Sequence, residues 1–428
     1  MVKKTFELDG RLNLPKKVSF VNRPEGILCI EKFNPSFILV DNDEFEILKE
    51  LLKGLSIKEA SLIGYSKRKN VPLVEEKTKN LLKKIEKYNF YEGLNKPQDS
   101  KWPMHLYLTN KCNLKCKTCY KDAGLKKDDE LTTKEIFSLV DSFSKQGPTN
   151  IVLSGGEPML KKDFFKILEY IKPYGHKINV VTNGLLIKSR TTAERLTKLV
   201  DFLQISLDGA TEHYNDFYRG RGTYKKILET IDMFSDLDFT LNIGMIVSEY
   251  NFKDIKQNIG NLFNSLKNKN LKLNVSNLLD KGRGKYCKSK GDHNLINEII
   301  NAVKDLNIKP KQWNVPTIRT YDCGFARSVT VDSNGEVYFC PVTNEFTKSN
   351  LNIRTSNFDF ILQSFKEMNK SISVENMENC LDCDLEYLCG GGCRLDNLEK
   401  RNSYLNPEDC NKNRRELLYQ ELVNLRLD

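Results

Sequence analysis

The sequence has no uninterrupted apolar run long enough to cross a bilayer, and no apolar segment follows its N-terminal lysines. These absences argue against a helical membrane span and a secretory signal, and predict a soluble, cytoplasmic protein with no membrane partner. A compact basic block is missing too. The formal charge is +10, but its lysines are scattered over all 428 residues, the pattern of a solvated surface rather than a nucleic-acid arm. The excess also suits an acidic peptide partner. Against these absences stand twelve cysteines, most of them in the C-terminal quarter. Without a secretion signal, they point to metal rather than disulfides.

Three cysteines crowd one short stretch, Cys112-Asn113-Leu114-Lys115-Cys116-Lys117-Thr118-Cys119-Tyr120. It follows His105-Leu106-Tyr107-Leu108-Thr109, whose alternation predicts a strand. Thiolates at C-x3-C-x2-C spacing can converge on iron–sulfur clusters or zinc. Zinc wants four protein ligands; no fourth cysteine is near, and His105 lies back on the strand. The spacing, the strand before it and the aromatic residue after it resemble the radical S-adenosylmethionine (SAM) superfamily. The resemblance implies that Cys112, Cys116 and Cys119 hold a [4Fe–4S] cluster whose open iron takes the amino and carboxylate groups of SAM, with Tyr120 beside the cofactor.

From Met104 to about Leu279 strand and helix patterns alternate. Strands are expected at 151–153, 178–181, 202–205, 241–246 and 271–275, with helices such as 133–145, 164–171 and 224–234 between them. With the strand at 105–109 this makes about six units, fewer than the ~8 of a closed barrel. The resemblance implies an α/β fold with an open, partial (β/α)6 barrel. Functional groups belong at the C-terminal ends of such strands. Ile151-Val152-Leu153 runs into Ser154-Gly155-Gly156-Glu157-Pro158, where two glycines let the backbone approach a ligand and an acid can accept hydrogen bonds. The stretch Gly155 to Pro158 is similar to the family's motif for the SAM amino group. The next strand ends at Asn183, suited to a ribose contact. The one after ends at Ser206-Leu207-Asp208, with Arg219 following. By the same resemblance Ser206 and Arg219 bind the ribose and carboxylate, and Asp208 faces the cofactor with Ser206. The cofactor would supply a 5′-deoxyadenosyl radical that takes hydrogen from an unactivated carbon. Its electron would come from a flavodoxin or ferredoxin.

The first hundred residues predict strands at 26–30 and 37–40, a helix capped by Asp41, and helices at 57–63 and 74–88. Strands followed by three helices form a winged-helix-like unit, but no helix carries the Arg/Asn/Gln cluster that reads base edges. By arrangement the unit is similar to the peptide-recognition domain of maturases of ribosomally made peptides. That implies a precursor whose leader adds a strand to the sheet edge. Cys29 reads as a core thiol.

The remaining cysteines run Cys323, Cys340, Cys380, Cys383, Cys389, Cys393 and Cys410. Residues 328–339 form a hairpin around Asn334-Gly335, and Gly390-Gly391-Gly392 lets backbone wrap a bulky core. The spacing resembles the seven-cysteine SPASM domain of radical SAM enzymes; a zinc ribbon is the alternative. The family pattern gives two auxiliary [4Fe–4S] clusters, three clusters in all. Cys380, Cys383, Cys389 and Cys410 would fill the distal one. Cys323, Cys340 and Cys393 would hold the other. Residues 316–322 lack the extra cysteine of several relatives, so the second cluster either keeps an open iron or takes Cys287. An open iron could hold a substrate thiolate.

The expected domains are 1–95 for leader recognition, 96–279 for the barrel, 280–315 as connector and 316–428 as SPASM domain. The expected function is a peptide maturase that installs a Cys sulfur-to-carbon thioether. Carbon–carbon or carbon–oxygen crosslinking is the near rival; small-molecule radical chemistry and a redox-sensing DNA reader are more distant ones. Asp322, Glu157 and Tyr321 are candidates for a general base.

Overall fold

The computed structural model describes residues 9–32, 36–68, 71–92, 101–124, 130–287, 293–303, 309–310, 324–407, 410 and 412–427. The chain divides into two compact units: residues 1–100, 314–323 and 370–428 form one, and residues 101–313 and 324–369 the other.

The first unit opens with an antiparallel sheet of β1 (Val18–Arg23), β2 (Gly26–Glu31) and β3 (Phe37–Val40), in that order. Helices α1 (Asn42–Leu52), α2 (Ile57–Arg68) and α3 (Val71–Lys87) follow. Asp41 caps α1 in a full capping box with Glu44, satisfying backbone N–H groups the helix leaves open. The runs in β2 and β3 are continuously apolar because both faces are covered. Ile27, Cys29, Ile38 and Val40 pack with Ile47, Leu51, Leu81 and Ile85. On the other face, Leu28, Ile30, Phe37 and Leu39 pack with Leu385, Leu388, Leu422 and Val423. Those partners come from the chain's end.

The second unit holds one ten-stranded sheet. Six parallel strands form its middle: β4 (Met104–Thr109), β5 (Asn150–Gly155), β6 (Lys177–Thr182), β7 (Phe202–Ser206), β8 (Leu241–Val247) and β9 (Leu271–Asn277). The short β10 (Lys309–Pro310) adds beside β9. Helices α4 (Thr133–Ser144), α5 (Phe164–Ile171), α6 (Arg190–Leu199), α7 (Glu212–Arg219), α8 (Thr223–Asp232), α9 (Phe252–Ser265) and α10 (His293–Val303) make the crossovers. The expected hairpin is present as β11 (Val329–Val331) and β12 (Glu336–Tyr338). It also extends the sheet: β11 pairs in parallel with β4, and β13 (Lys348–Asn352) pairs with β12. The fold is thus an α/β core with extra C-terminal strands. Helices α11 (Phe358–Ser371), α12 (Glu386–Cys389), α13 (Arg394–Arg401) and α14 (Lys412–Asn424) complete the chain. No described helix is long and apolar enough to cross a membrane.

Candidate active site

The three-cysteine loop leaves β4 and is held from several sides. The Cys112 N–H donates to the Gly124 carbonyl at 3.2 Å and that of Lys117 to the Tyr218 carbonyl at 2.9 Å. The Gly155-Gly156-Glu157 backbone lies directly against the loop's start. Gly156 N–H donates to the Thr109 carbonyl at 2.7 Å and Glu157 N–H to the Lys111 carbonyl at 2.8 Å. A Cβ on Gly156 would stand 2.1 Å from the Lys111 oxygen, and one on Gly155, at φ +146°, 2.3 Å from the Thr109 oxygen. The close approach these glycines permit is therefore to protein backbone.

Glu157 is fully buried. Its carboxylate accepts from Thr182 Oγ1 at 2.7 Å, Asn183 N–H at 2.8 Å and Met159 N–H at 3.2 Å, capping the turn that begins at Pro158. Burial raises its pKa, and these donors oppose the rise. Asn183 Nδ2 donates to Asn113 Oδ1, between two of the cysteines, at 2.7 Å. Ser206 ends β7. Asp208 accepts from Ile246 N–H at 3.0 Å and from Arg219 Nη1 at 2.8 Å. Burial alone would lower the Arg219 pKa; Asp208 first, then Cys116, hold it above its ordinary value. Arg219 Nε is buried and has no hydrogen-bond partner among the described residues.

The thiols sense one another. Burial first, then Cys116, Glu157 and Cys119, push the Cys112 thiol up to about 11, against a Leu114 N–H that favours the thiolate. Burial raises Cys116 as well, and Arg219 eases it. Among the described residues no three His, Cys, Asp or Glu side chains are placed to hold a single metal ion. A cube takes its thiolates on separate irons and deprotonates them by coordination. Three mutually interacting thiols beside a cation with a free donor fit a cluster and the carboxylate of SAM.

Residues 106–260 match the model of the Radical SAM superfamily. The chain carries a radical SAM catalytic domain. Mycofactocin maturase MftC of Mycolicibacterium smegmatis is 24% identical over 326 residues, 71% of this chain and 80% of that protein. Fe-coproporphyrin III synthase of Methanosarcina barkeri is 32% identical over 151 residues, 35% of this chain and 37% of that protein. The fold is shared with Streptococcus suis SuiB bound to precursor peptide SuiA, at TM-score 0.60 and 18% identity over 93% of this chain and 99% of that one. It is shared also with native anSMEcpe with bound AdoMet, at TM-score 0.60 and 21% identity over 76% and 99%. A radical SAM fold implies SAM and an iron–sulfur cluster, and here the core carries extra C-terminal strands and helices.

Those additions place their cysteines in both units. Cys340 follows β12 in the radical SAM unit. Tyr107 Oη, inside that unit, donates to the carbonyl of Pro341 and meets Tyr120 Oη at 2.9 Å. The hydroxyls join the loop after Cys119 to the loop after Cys340. In the other unit Cys380, Cys383, Cys389, Cys393 and Cys410 line one open cavity. Burial first, then Cys389, Cys410 and Cys383, push the Cys380 thiol up to about 12. Gly390, Gly391 and Gly392 all take positive φ, a run that side chains resist. The fully buried Arg394 donates to the carbonyls of Gly390 and Gly392, each at 2.7 Å, and of Ile372 at 2.9 Å. Cys323, Asp322, Tyr321 and the rest of residues 316–322 lie outside the described residues.

One part of the site carries a signal that sequence reading passed over, and it stands beside Cys287. Gly282-Arg283-Gly284 reads as a bare turn, yet Arg283 Nε donates to the Cys116 carbonyl at 2.7 Å and Nη1 to the Ala123 carbonyl at 2.9 Å. An arginine between two glycines is a backbone-clamping signal in hindsight. Cys287, next along, points its Sγ at the Lys117 carbonyl at 3.5 Å, against the cluster loop.

Proposed function

We propose that this radical SAM enzyme matures a ribosomally made peptide by joining a Cys sulfur to a carbon as an intramolecular thioether. The observation that carries the reading is the Tyr120–Tyr107–Pro341 bridge. It ties the radical-forming loop to a loop bearing an auxiliary-cluster cysteine, where a substrate thiolate would be held. Cys112, Cys116 and Cys119 hold the radical SAM cluster. Cys380, Cys383, Cys389 and Cys410 hold the distal auxiliary cluster. Cys323, Cys340 and Cys393 hold the near one, which keeps an open iron. When bound, the clusters supply the electron that cleaves SAM and take back the electron left when sulfur meets a carbon radical.

The chain's own residues position and exclude. Tyr120, Gly155, Gly156, Glu157, Pro158, Asn183, Ser206 and Asp208 shape the SAM site, and Arg219 Nε is the donor for its carboxylate. Residues 1–95 act as a winged-helix-like recognition domain, 96–279 as the barrel, and 316–428 as the SPASM domain. In the three-stranded order β1-β2-β3, β1 and β3 are edges, and a leader can add a strand to one. The precursor peptide SuiA bound to SuiB supports this choice. A flavodoxin or ferredoxin supplies the electron.

The balance is simple. One C–H hydrogen leaves as part of 5′-deoxyadenosine, and the thiol proton goes to solvent. The peptide therefore loses two hydrogens per bond. Anaerobic, reconstituted protein with SAM, a reductant and a synthetic copy of the Cys-rich short open reading frame nearest the gene tests this by mass analysis. A two-hydrogen loss with thiols resistant to alkylation supports the thioether. The same loss with free thiols replaces it by a carbon–carbon or carbon–oxygen crosslink.

A further inference from the structure

The radical SAM barrel is lined unlike a closed one, whose interior fills with layers of bulky branched side chains. Registered partners in a sheet share a face. Gln204 pairs with Asn242, and Gly244 pairs with both Ser206 and Asn274. Gln204, Asn242, Gly244 and Asn274 therefore line the same lumen face as Ser206, which ends β7 at the cofactor side. Asn274 Nδ2 donates to Gln204 Oε1 at 2.8 Å. Gly244 makes room for this: a Cβ there would stand 2.5 Å from Gln204 Nε2. Gln204 and Asn274 are only half-buried on this face, so Gln204 Nε2 and Asn274 Oδ1 face the lumen rather than a closed interior.

Half-buried amide atoms that face a lumen are served by water or by a ligand that displaces it. A carboxamide offers one N–H side and one C=O side, the same pair a peptide group needs. Lys272 shares this face through its register with Asn242, two residues before Asn274 and so farther from the strand end that Ser206 marks. His105 is held neutral, and Lys121, 3.9 Å over the Tyr107 ring, is paired with Asp332 at 2.8 Å. A peptide backbone finds both halves of its hydrogen bonding at the Gln204–Asn274 pair.

We infer that Gln204 and Asn274 form a ledge in the lumen that takes one backbone peptide group of the substrate. Gln204 Nε2 donates to its carbonyl and Asn274 Oδ1 accepts from its N–H. These are positioning residues: by fixing one peptide group they decide which neighbouring C–H meets the adenosyl carbon. This rests on the peptide reading above and assigns the substrate contacts within it.

The test uses full-length, reconstituted holoenzyme and the synthetic Cys-rich peptide. Gln204→Ala, Asn274→Ala and the isosteric Gln204→Glu, which lacks the donor, each raise KM for the peptide roughly tenfold. Each also raises the 5′-deoxyadenosine released per crosslink. A series of peptides with one backbone amide replaced by an ester contains one that loses about tenfold with wild type and nothing further with Asn274→Ala, since both changes remove one hydrogen bond. Wild-type KM and coupling in all three variants overturn the ledge while leaving peptide maturation standing. Additive losses of ester and Asn274→Ala overturn it as well. Wild type that releases 5′-deoxyadenosine but alters no peptide overturns both readings.

Discussion

Gly156 shows what a single position can and cannot announce. Its place after a strand and before an acid is legible, and the motif's link to SAM follows from resemblance. That its α-carbon faces the Lys111 carbonyl is not legible, because nothing local encodes which backbone arrives there. Gly156→Ala puts a methyl 2.1 Å from that oxygen, so it is expected to destabilise by about 2–3 kcal/mol and to lower the iron retained by the loop. Denaturant midpoints and iron analysis check both. His105 gives a second expectation. Burial, with Lys121 adding, holds its imidazole down at about 4, and its Nε2 meets Ser154 Oγ at 2.6 Å. The unfolded chain takes the proton near 6.5, so between these values only the unfolded state binds it and stability falls as pH drops. The contribution is about 1.4 kcal/mol less at about pH 5.5 than at about pH 7.5. His105→Gln removes that part of the slope, as urea unfolding at the two pH values will show.

Elements were more legible than their neighbours. Periodicity finds β4 to β9, the helices α4, α5 and α8 between them and the hairpin at Gly335, because the turn and alternation are local. Periodicity cannot show that β11 lies parallel to β4, or that β1, with half-exposed alternation, completes the first sheet. The turn at 282–286 is the most consequential element that looked empty. Arg283→Ala removes charged hydrogen bonds to the Cys116 and Ala123 carbonyls, about 1.5–3 kcal/mol of local restraint. Faster loss of loop iron to a chelator is the expected readout, with Arg283→Lys intermediate. In the other unit Arg394→Leu leaves the carbonyls of Gly390, Gly392 and Ile372 without the guanidinium that holds them. It should cost about 3 kcal/mol or more and lower auxiliary iron before it touches SAM cleavage.

At the scale of the molecule, contacts do not follow chain order. Leu28, Ile30, Phe37 and Leu39 share a core with Leu385, Leu388, Leu422 and Val423, and Cys383 and Cys389 pack at its edge. Deleting residues 1–92 therefore strips apolar cover worth about 1.5–3 kcal/mol per large side chain from the cysteine cavity. The deleted chain is expected to lose auxiliary iron as well as leader binding, which iron analysis distinguishes from a loss of binding alone. If the chain holds the three clusters proposed above, Cys112→Ala/Cys116→Ala/Cys119→Ala keeps roughly two thirds of the iron. The shared core also sets a timetable for biosynthesis. The sheet's second apolar face leaves the ribosome early and stays bare until α14, at the chain's end, is made. The radical SAM unit has all its residues by position 369. Domains fold as they emerge, so the radical-forming loop is ready for its iron while the cysteine cavity is still half written.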